Sequence, residues 1–221
     1  MKECKGIKLS ILRPQKILFK NLRKIENLID EFSNCEELEI IYIENCINEN
    51  IEFTDIKIEK AIINNVEIIN GNLENNTFID VEFNNCNFSN ASFENSGFIR
   101  CEFNNCKLTG CNFIESRIYN VSFLETNMCY SNFSMASIEN VIFENSGLKN
   151  SSFQENKLKN IIFKQSDLTQ VQFFKTPLKG IDFSDSKIEG FAVSLEDIRG
   201  AIINEFQAID LLYLIGVKIK Q

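Results

Sequence analysis

Cysteines at regular spacings are the first residues in this chain whose side chains could do chemistry. Cys86 and Cys106 lie twenty residues apart, Cys46 lies two such intervals before Cys86, and Cys101 and Cys111 flank Cys106. Thiols in that pattern could form disulfides or bind a metal as thiolates. However, the eight cysteines include no CxxC pair, and these five all fall at a small inward position of the repeat described below. We therefore interpret them as buried, reduced, small hydrophobic residues.

Pairs of carboxylates are the second candidate, because general acid–base catalysis often uses two of them. Glu74 with Glu94, and Glu82 with Glu102, recur at the same twenty-residue interval. The chain contains no histidine, which excludes Ser-His-Asp and Cys-His nucleophiles and histidine-ligated metals. No glycine-rich phosphate loop or metal-ligand spacing accompanies the carboxylates. The pattern predicts a protein that is not an enzyme and needs no cofactor, with these glutamates as solvated charge or as a phosphate-mimicking stripe.

Charge is distributed unevenly along the chain, whose formal net charge is −8. Residues 1–24 hold eight Lys/Arg against Glu3 alone, whereas residues 36–125 hold sixteen acids and five bases. An acidic body attracts basic surfaces and disfavours direct contact with nucleic acid. The absence of a long apolar run and of a signal-like N-terminus predicts a cytoplasmic protein without membrane contact.

An apolar residue recurs at every fifth position from Phe53 to Ile203 without a change of register. All 31 of these centres are apolar, and fifteen of the 20 phenylalanines lie on the series. Two residues before most centres stands a small or apolar residue, such as Ala91 or Val121. Two inward residues in five fit neither the 3.6-residue period of a helix nor the 2.0-residue period of a long strand. The repeat therefore predicts short extended segments joined by tight turns.

Turn-forming residues occupy the position two after each centre. Counted at this five-residue spacing from Asn50, which precedes the first centre, to Gly200, 31 positions include thirteen asparagines and four glycines. These two residues best tolerate the positive φ that the third residue of a type II turn requires. The pattern indicates one turn for every five residues.

The combined repeat resembles the pentapeptide-repeat family from about Leu38 to Ile203. That resemblance implies an all-β fold, a right-handed quadrilateral β-helix with four pentapeptides, or twenty residues, in each coil. Sorting the centres by twenty then gives two opposite faces rich in phenylalanine. We call face A the side whose centres are Phe53, Leu73, Phe93, Phe113, Phe133, Phe153 and Phe173. Face C is the side whose centres are Ile63, Phe83, Phe103, Phe123, Phe143, Phe163 and Phe183.

Both ends of the sequence lose the repeat, and a β-helical rod needs caps because its ends expose unpaired strands. We divide the chain into a basic N-terminal segment with a capping helix (1–36), the β-helix (37–203) and a C-terminal cap and dimerisation module (204–221). An apolar stripe predicts that the N-terminal helix runs from about Pro14 to Phe32. A basic amphipathic helix could instead meet a membrane or an acidic partner.

The C-terminal segment is more apolar than one rod end requires. Gly216 is predicted to end a short helix, and residues 217–219 could form a small strand. A two-fold contact between two such ends would bury the apolar side chains. The predicted interface consists of Phe206, Leu211, Leu212, Leu214, Ile215 and Val217.

This end resembles that of the Qnr/MfpA group, pentapeptide-repeat proteins that bind DNA gyrase and topoisomerase IV. The residues that carry the resemblance are Asp197-Ile198-Arg199-Gly200-Ala201, Gln207-Ala208, Leu211, Leu212 and Ile215-Gly216-Val217. The resemblance implies a head-to-head homodimer, a rod that occupies the DNA-binding saddle of the topoisomerase. In the Qnr members such a rod relieves quinolone poisoning.

Two functional hypotheses follow. The first is a dimeric, Qnr-like DNA mimic that binds gyrase or topoisomerase IV, with Glu74, Glu82, Glu94 and Glu102 as its topoisomerase-facing acidic surface and quinolone resistance as a further implication. The alternative is a non-enzymatic interaction or structural β-helix module with another basic partner. The unbroken register, which leaves no room for a projecting loop, and the basic N-terminal segment favour the alternative.

Overall fold

The computed structural model of the protein describes residues 11–15 and 19–218. In chain order its regular elements are β1 (Arg23–Lys24), α1 (Leu28–Asn34), β2 (Glu37–Glu44), β3 (Ile47–Glu49), β4 (Lys57–Asn64), β5 (Glu67–Ile69), β6 (Thr77–Asn84), β7 (Gly97–Ile99), β8 (Glu102–Asn104), β9 (Arg117–Leu124), β10 (Ser137–Glu144), β11 (Lys157–Lys164) and α2 (Gln207–Leu211), with 3-10 turns at Phe19–Asn21 and Leu212–Ile215. From β2 onward, strands pair in parallel with partners twenty residues away, as Ile138 does with Leu158. The predicted four-sided β-helix is therefore confirmed, with about seven turns.

Two further faces complete the four sides. Face B has the centres Ile58, Phe78, Phe98, Ile118, Ile138, Leu158 and Leu178. Face D has the centres Ile68, Phe88, Leu108, Met128, Leu148, Leu168 and Ile188. The long strands cover faces B and C, whereas faces D and A are joined mainly by single bridges such as that between Asn112 and Asn132.

The corners of the rod adopt the left-handed backbone that the repeat predicts. Within the described residues, 27 non-glycine residues have positive φ, all at the five-residue interval between Ile40 and Lys175, and Gly110 fills the one position left in that series. Asn65, with φ of 52°, occupies such a corner comfortably because asparagine tolerates this region. Arg100 and Tyr130, at 51° and 63°, tolerate it less well, so the coil geometry imposes the turn there.

The core consists of stacked phenylalanines from faces A and C. Twelve phenylalanine side chains are almost completely buried. The ring of Phe133 stacks on Phe113 at 4.7 Å between centroids and meets Phe143 of the opposite face nearly edge-on at 6.4 Å. Each ring thus has stacked neighbours along the rod and tilted ones across it, both favourable aromatic geometries.

The N-terminal end is capped by α1, which begins four residues before the predicted helix was expected to end. The side chain of Asn27 accepts hydrogen bonds from the backbone N–H groups of Ile29 and Asp30 and so starts the helix. Phe32 then packs on Phe53 of the first full coil, 4.5 Å between ring centroids. This short helix therefore covers the open end of the rod, as a capping helix should.

The prediction of a single helix from about Pro14 to Phe32 is wrong, because of the described residues in that range only those from Leu28 onward form an α-helix. Residues 11–15 are not helical, and β1 pairs in parallel with β2 instead. The backbone N–H of Ile25 donates to the carbonyl of Tyr42 at 2.9 Å. Pairing with the open edge of the first rung satisfies backbone groups that a helix would leave exposed at that edge, and it outweighs the helical stripe.

The C-terminal end is closed by α2 and the turn that follows it. Gln207 is buried, and its amide donates to the carbonyls of Phe183 and Ser186 at 2.8 and 2.6 Å. These bonds satisfy acceptors of the last coils that no further coil could reach. Gly216, with φ of 75°, ends the 3-10 turn as predicted. Val217 and Lys218 form no strand, and Ile219 lies outside the described residues.

Candidate binding surfaces

The acidity of the rod is concentrated on two opposite faces. The outward positions of face A carry Glu52, Asp55, Glu74, Glu94, Glu115 and Glu155. The single basic residue at those positions, Lys175, pairs with Glu155 at 2.7 Å. From residue 52 to residue 135, face A therefore presents carboxylates with no intervening cation among its own residues.

Faces B and D are close to neutral. When its end segments 36–40 and 196–200 are included, face B carries eight acids and eight bases. Several of them pair between adjacent coils, such as Lys57 with Glu37 and Lys159 with Glu139, both at 2.6 Å. Exposed pairs of this kind contribute little stability. Their effect is to cancel the long-range electrostatic field on faces B and D, so that the negative potential of the rod is strongest outside faces A and C.

Face C is acidic but is partly covered by the N-terminal segment. Its outward positions carry Glu44, Glu82, Glu102, Glu125, Glu144, Asp182, Asp185 and Glu205 against Lys164 alone. Residues 11–15 cross the corner between faces B and C. The N–H of Gln15 donates to Asp80 at 3.1 Å, that of Leu12 to Asn120 at 3.4 Å, and Arg13 lies 3.6 Å from Glu102. The basic segment thus lies along the acidic face.

A buried ion pair anchors this crossing. The side chain of Asp80 is 1% exposed and accepts two hydrogen bonds at 2.7 Å from Arg100, one coil further on. The Asp80 carboxylate also holds the backbone of Gln15, as described above. The carboxylate raises the pKa of Arg100 through the hydrogen bond between them. Sequence analysis missed these residues because neither Asp80 nor Arg100 stands out from the charges around it.

The four glutamates predicted as one acidic surface fall on two opposite faces. Glu74 and Glu94 lie on open face A, where they accept hydrogen bonds from Ser92 at 2.8 Å and Asn112 at 3.0 Å. Glu82 and Glu102 lie in register on face C, and Glu102 is only 14% exposed beside Arg13. The stacking predicted for each pair is present, but the structure does not bring the two pairs together.

Amide ladders run along two corners of the rod. Asn104 donates to Asn84 and Asn84 to Asn64, both at 2.8 Å, which confirms the first predicted ladder. In the second predicted ladder Asn160 donates to Asn140, but Asn120 contacts Leu12 of the N-terminal segment instead. The side-chain nitrogen of Asn120 has no partner among the described residues.

The C-terminal cap divides the predicted interface into an inner and an outer set. Leu211 and Leu214 are half-buried and pack against the core, and Leu212 is half-buried as well. Phe206, Ile215 and Val217 are exposed, Phe206 by 75%. Ile209 and Tyr213 extend the exposed apolar surface. The outer set is therefore the part that a second molecule could cover.

Four of the five cysteines predicted to be buried, Cys86, Cys101, Cys106 and Cys111, are buried apolar groups, whereas Cys46 is only partly buried. All seven cysteines among the described residues are free, and the pairing of Asn87 with Lys107 places Cys86 and Cys106 in adjacent coils. Burial raises the pKa of the Cys101 thiol to about 12, so the reactive thiolate is disfavoured. Within residues 11–15 and 19–218, no three potential ligands converge to hold a metal ion. No helix in this part of the chain is long and apolar enough to cross a membrane.

A comparison with protein families agrees with this architecture. Residues 76–150 match the family model described as pentapeptide repeat region. This part of the chain is a pentapeptide repeat region, and the same five-residue spacing continues on both sides of it. No curated protein matches it significantly.

Solved pentapeptide-repeat structures resemble this one in fold. HetL, a pentapeptide repeat protein involved in heterocyst differentiation regulation from the cyanobacterium Nostoc sp. strain PCC 7120, is 11% identical with a TM-score of 0.55, covering 81% of this chain and 92% of its own. A trypsin-treated form of QnrB1, a plasmid-mediated fluoroquinolone resistance protein, is 18% identical with a TM-score of 0.37, covering 79% and 98%. At 11% identity the likeness to HetL concerns the fold alone.

Proposed function

We propose that this pentapeptide-repeat protein is a non-enzymatic, dimeric DNA mimic that binds a type II topoisomerase, DNA gyrase or topoisomerase IV, in the cytoplasm. The observation that carries the proposal is the carboxylate row of face A, which has no intervening cation between residues 52 and 135. An enzyme surface that binds DNA is positively charged along the path of the duplex, because it contacts phosphates. A straight acidic rod offers such a surface a similar electrostatic partner.

The C-terminal end supports the dimeric part of the proposal. Residues 197–201 and 207–217 resemble the end of the Qnr/MfpA group, and the exposed set of Phe206, Ile209, Tyr213, Ile215 and Val217 forms an apolar surface at the tip of the rod. A two-fold contact there would bury this surface and double the length of face A. Each large apolar side chain that such a contact buries contributes roughly 1.5–3 kcal/mol.

Replacing Phe206 and Ile215 together by aspartate is expected to convert the dimer to a monomer with an intact β-helix. Both side chains are exposed, so the substitutions spare the core, whereas Leu211 and Leu214 contact it. Light scattering across micromolar concentrations measures the mass. Met135→Asp, a substitution of an exposed apolar residue far from the tip, should leave the dimer unchanged. A wild-type protein that scatters as a monomer at tens of micromolar would overturn this interface.

The alternative, an interaction module for another basic protein, has one observation in its favour. The acidic face C already holds a basic segment of the chain itself, through Arg13 and the backbone contacts of Leu12 and Gln15. An acidic face of this rod can therefore bind an extended basic segment, so its partner need not be a DNA-binding groove. Such a module would bind basic peptides but have no effect on a topoisomerase.

Supercoiling of relaxed plasmid by purified gyrase, titrated with this protein with and without a fluoroquinolone, tests the proposal. Inhibition in both arms is expected of a DNA mimic that competes for the DNA-binding surface. Restored supercoiling in the presence of drug would add quinolone protection to that activity. No effect in either arm, repeated with topoisomerase IV, would reject topoisomerase binding and leave the alternative.

A further inference from the structure

The backbone ladder of the rod is interrupted on two adjacent faces between residues 157–164 and 177–184. In earlier coils the residue two after each face C centre donates its N–H to the next coil, as Glu125 does to Glu144 and Asn145 to Lys164, both at 2.9 Å. The next hydrogen bond in this series would run from the N–H of Gln165 to the carbonyl of Ser184, and it is absent between these two described residues. Among the strands of the described residues, none pairs with the outer edge of β11.

Pro177 explains why the ladder stops here. At the equivalent position one coil earlier, the N–H of Lys157 donates to the carbonyl of Ala136 at 3.1 Å. Proline has no N–H to donate, and its ring needs space beside the preceding coil. The coil that contains Pro177 pairs instead with the last coil, where Leu178 and Gly180 donate to Asp197 and Gly200 at 2.8 Å.

The interruption opens the wall of the rod locally without separating its coils. A cleft of about 310 Å³ lies between Leu158 and Ile161 on one side and Pro177 and Ile181 on the other. A second cleft, of about 340 Å³, continues past Gln165 at the neighbouring corner. The other two faces stay paired, and at the corners Ser186 donates to Phe163 and Thr176 to Phe153. The gap is therefore a bounded slot in a firm frame.

Unpaired backbone groups line this slot. The N–H of Gln165 has no carbonyl acceptor in the next coil, whereas that of Asn145, one coil earlier, has one. The N–H of Asn160 also has none, whereas at the equivalent corner three coils earlier the N–H of Arg100 donates to the carbonyl of Tyr119 at 3.0 Å. The carbonyl of Asn156 lacks the N–H that a residue other than proline would donate from position 177. Unpaired groups of this kind on a strand edge are a template for a further strand.

The face B half of the slot has a positively charged rim although the rod is acidic, with Lys159 and Lys179 lining the first cleft and Lys157 beside them in the chain. At the face C end, where Lys164 lies, Asp167 and Asp185 line the second cleft and offset the positive charge. Lys159 and Lys164 pair with Glu139 and Glu144 of the preceding coil. Lys157 and Lys179 make no ion pair with any described residue, so their charges remain available to a ligand.

We propose that the slot is a docking site for an acidic, extended peptide segment of a partner protein, which adds to β11 as a parallel strand. Backbone hydrogen bonds to the free edge would provide general affinity, and the lysine rim would select acidic over basic segments. Leu158 and Ile161, at the floor of the slot, would accept apolar side chains from alternate positions of the peptide. The lysine-rimmed half of this site lies on face B, away from acidic face A, and binding there does not depend on topoisomerase binding.

The test uses a fluorescent peptide of about seven residues, alternating glutamate and valine to match the length of a strand. Saturable binding in fluorescence anisotropy is expected for this peptide, with much weaker binding for its lysine–valine counterpart. A version N-methylated at alternate residues should fail to bind, because it cannot complete the ladder. Equal binding of all three peptides, or no binding of the first, would overturn the proposal.

Two variant proteins place the binding at the slot. The double variant Lys157→Glu with Lys179→Glu should weaken peptide binding about tenfold or more through like-charge repulsion. Lys107→Glu with Lys149→Glu makes the same change of net charge on face D and should leave the affinity unchanged. In amide hydrogen exchange followed by NMR, Gln165 should exchange faster than Asn145 and slow when the peptide binds. Slow exchange at Gln165 without peptide would show that the slot is closed and would reject the site.

Discussion

Replacing Glu74, Glu94 and Glu115 together by lysine is expected to weaken binding to gyrase or topoisomerase IV about a hundredfold or more. All three lie on face A, where no other cation precedes Lys175. If face A meets a basic DNA-binding surface, the change replaces three attractions with three repulsions, and like-charge contacts at an interface cost several kcal/mol. The protein concentration that gives half-maximal inhibition of supercoiling measures the effect at physiological ionic strength.

The matched control reverses three glutamates on face D, namely Glu49, Glu67 and Glu189. It changes the net charge by the same amount, and Glu67 loses a hydrogen bond from Asn87 as Glu74 loses one from Ser92. A directional mimic should lose little affinity in this variant. Equal losses in both variants would mean that total charge governs binding and that face A has no special role. Circular dichroism should show that both variants remain folded.

The same comparison extends to face C. Glu82 and Glu102 lie in register on this face, and Arg13 of the N-terminal segment lies 3.6 Å from Glu102. Reversing these two charges would disturb the contacts of the segment before it affected any partner. Face A is therefore the surface on which a functional effect can be separated from a structural one.

The coil, its register and its turns could be predicted from the sequence because one constraint acts at every fifth residue. One large inward side chain on each side of the coil determines which side of that segment faces the core. Each corner requires a residue in the left-handed conformation, so asparagine and glycine at corners, such as Asn65 and Gly110, predict the turns. Local chemistry and global fold agree along the whole repeat, which makes such a sequence easy to interpret.

The N-terminal segment could not be predicted in the same way. Leu18, Leu22, Ile25, Ile29 and Phe32 satisfy a helical stripe, and local propensity alone favours a helix there. The open edge of β2 offers a competing partner that lies distant in the sequence, and it takes Arg23 and Lys24 into a parallel pair. Which of these wins depends on tertiary contacts, and these include the path that Arg13 takes along face C.

The candidate surfaces were only partly predictable for a related reason. The acidic residues and the apolar tip are visible in the sequence, but their availability depends on what covers them. Leu214 and Ile215 are neighbours of similar character, yet one packs on the core and the other is 63% exposed. Pro177 was a local signal for the slot, since proline removes a ladder bond wherever it enters a paired strand.

Replacing Phe133 by alanine is expected to lower the free energy of unfolding by about 3–5 kcal/mol. The ring is fully buried between Phe113 and Phe153, at 4.7 Å from each, with Phe143 across the core. Paired coils on both sides hold the backbone in place, so the space cannot collapse and the cavity term adds to the lost burial. Urea unfolding followed by circular dichroism measures the change.

Phe206→Ala and Phe53→Ala separate this effect from the loss of a ring in general. Phe206 is 75% exposed, and its removal should cost the monomer about 0.5 kcal/mol or less. Phe53 packs against Phe32 of the N-terminal cap with the two rings tilted by 50°. The terminal coil can open locally there, so the loss of Phe53 should lower the stability of the whole rod less than the loss of Phe133. If Phe53→Ala destabilises the whole rod as much as Phe133→Ala, the end coil is as cooperative as the middle. In a rod that frays from its ends, the central rings, which have stacked neighbours on both sides, must stabilise the fold most. Equal losses of stability for the two variants would therefore contradict the expected rise in each ring's contribution from the end of the rod towards its centre.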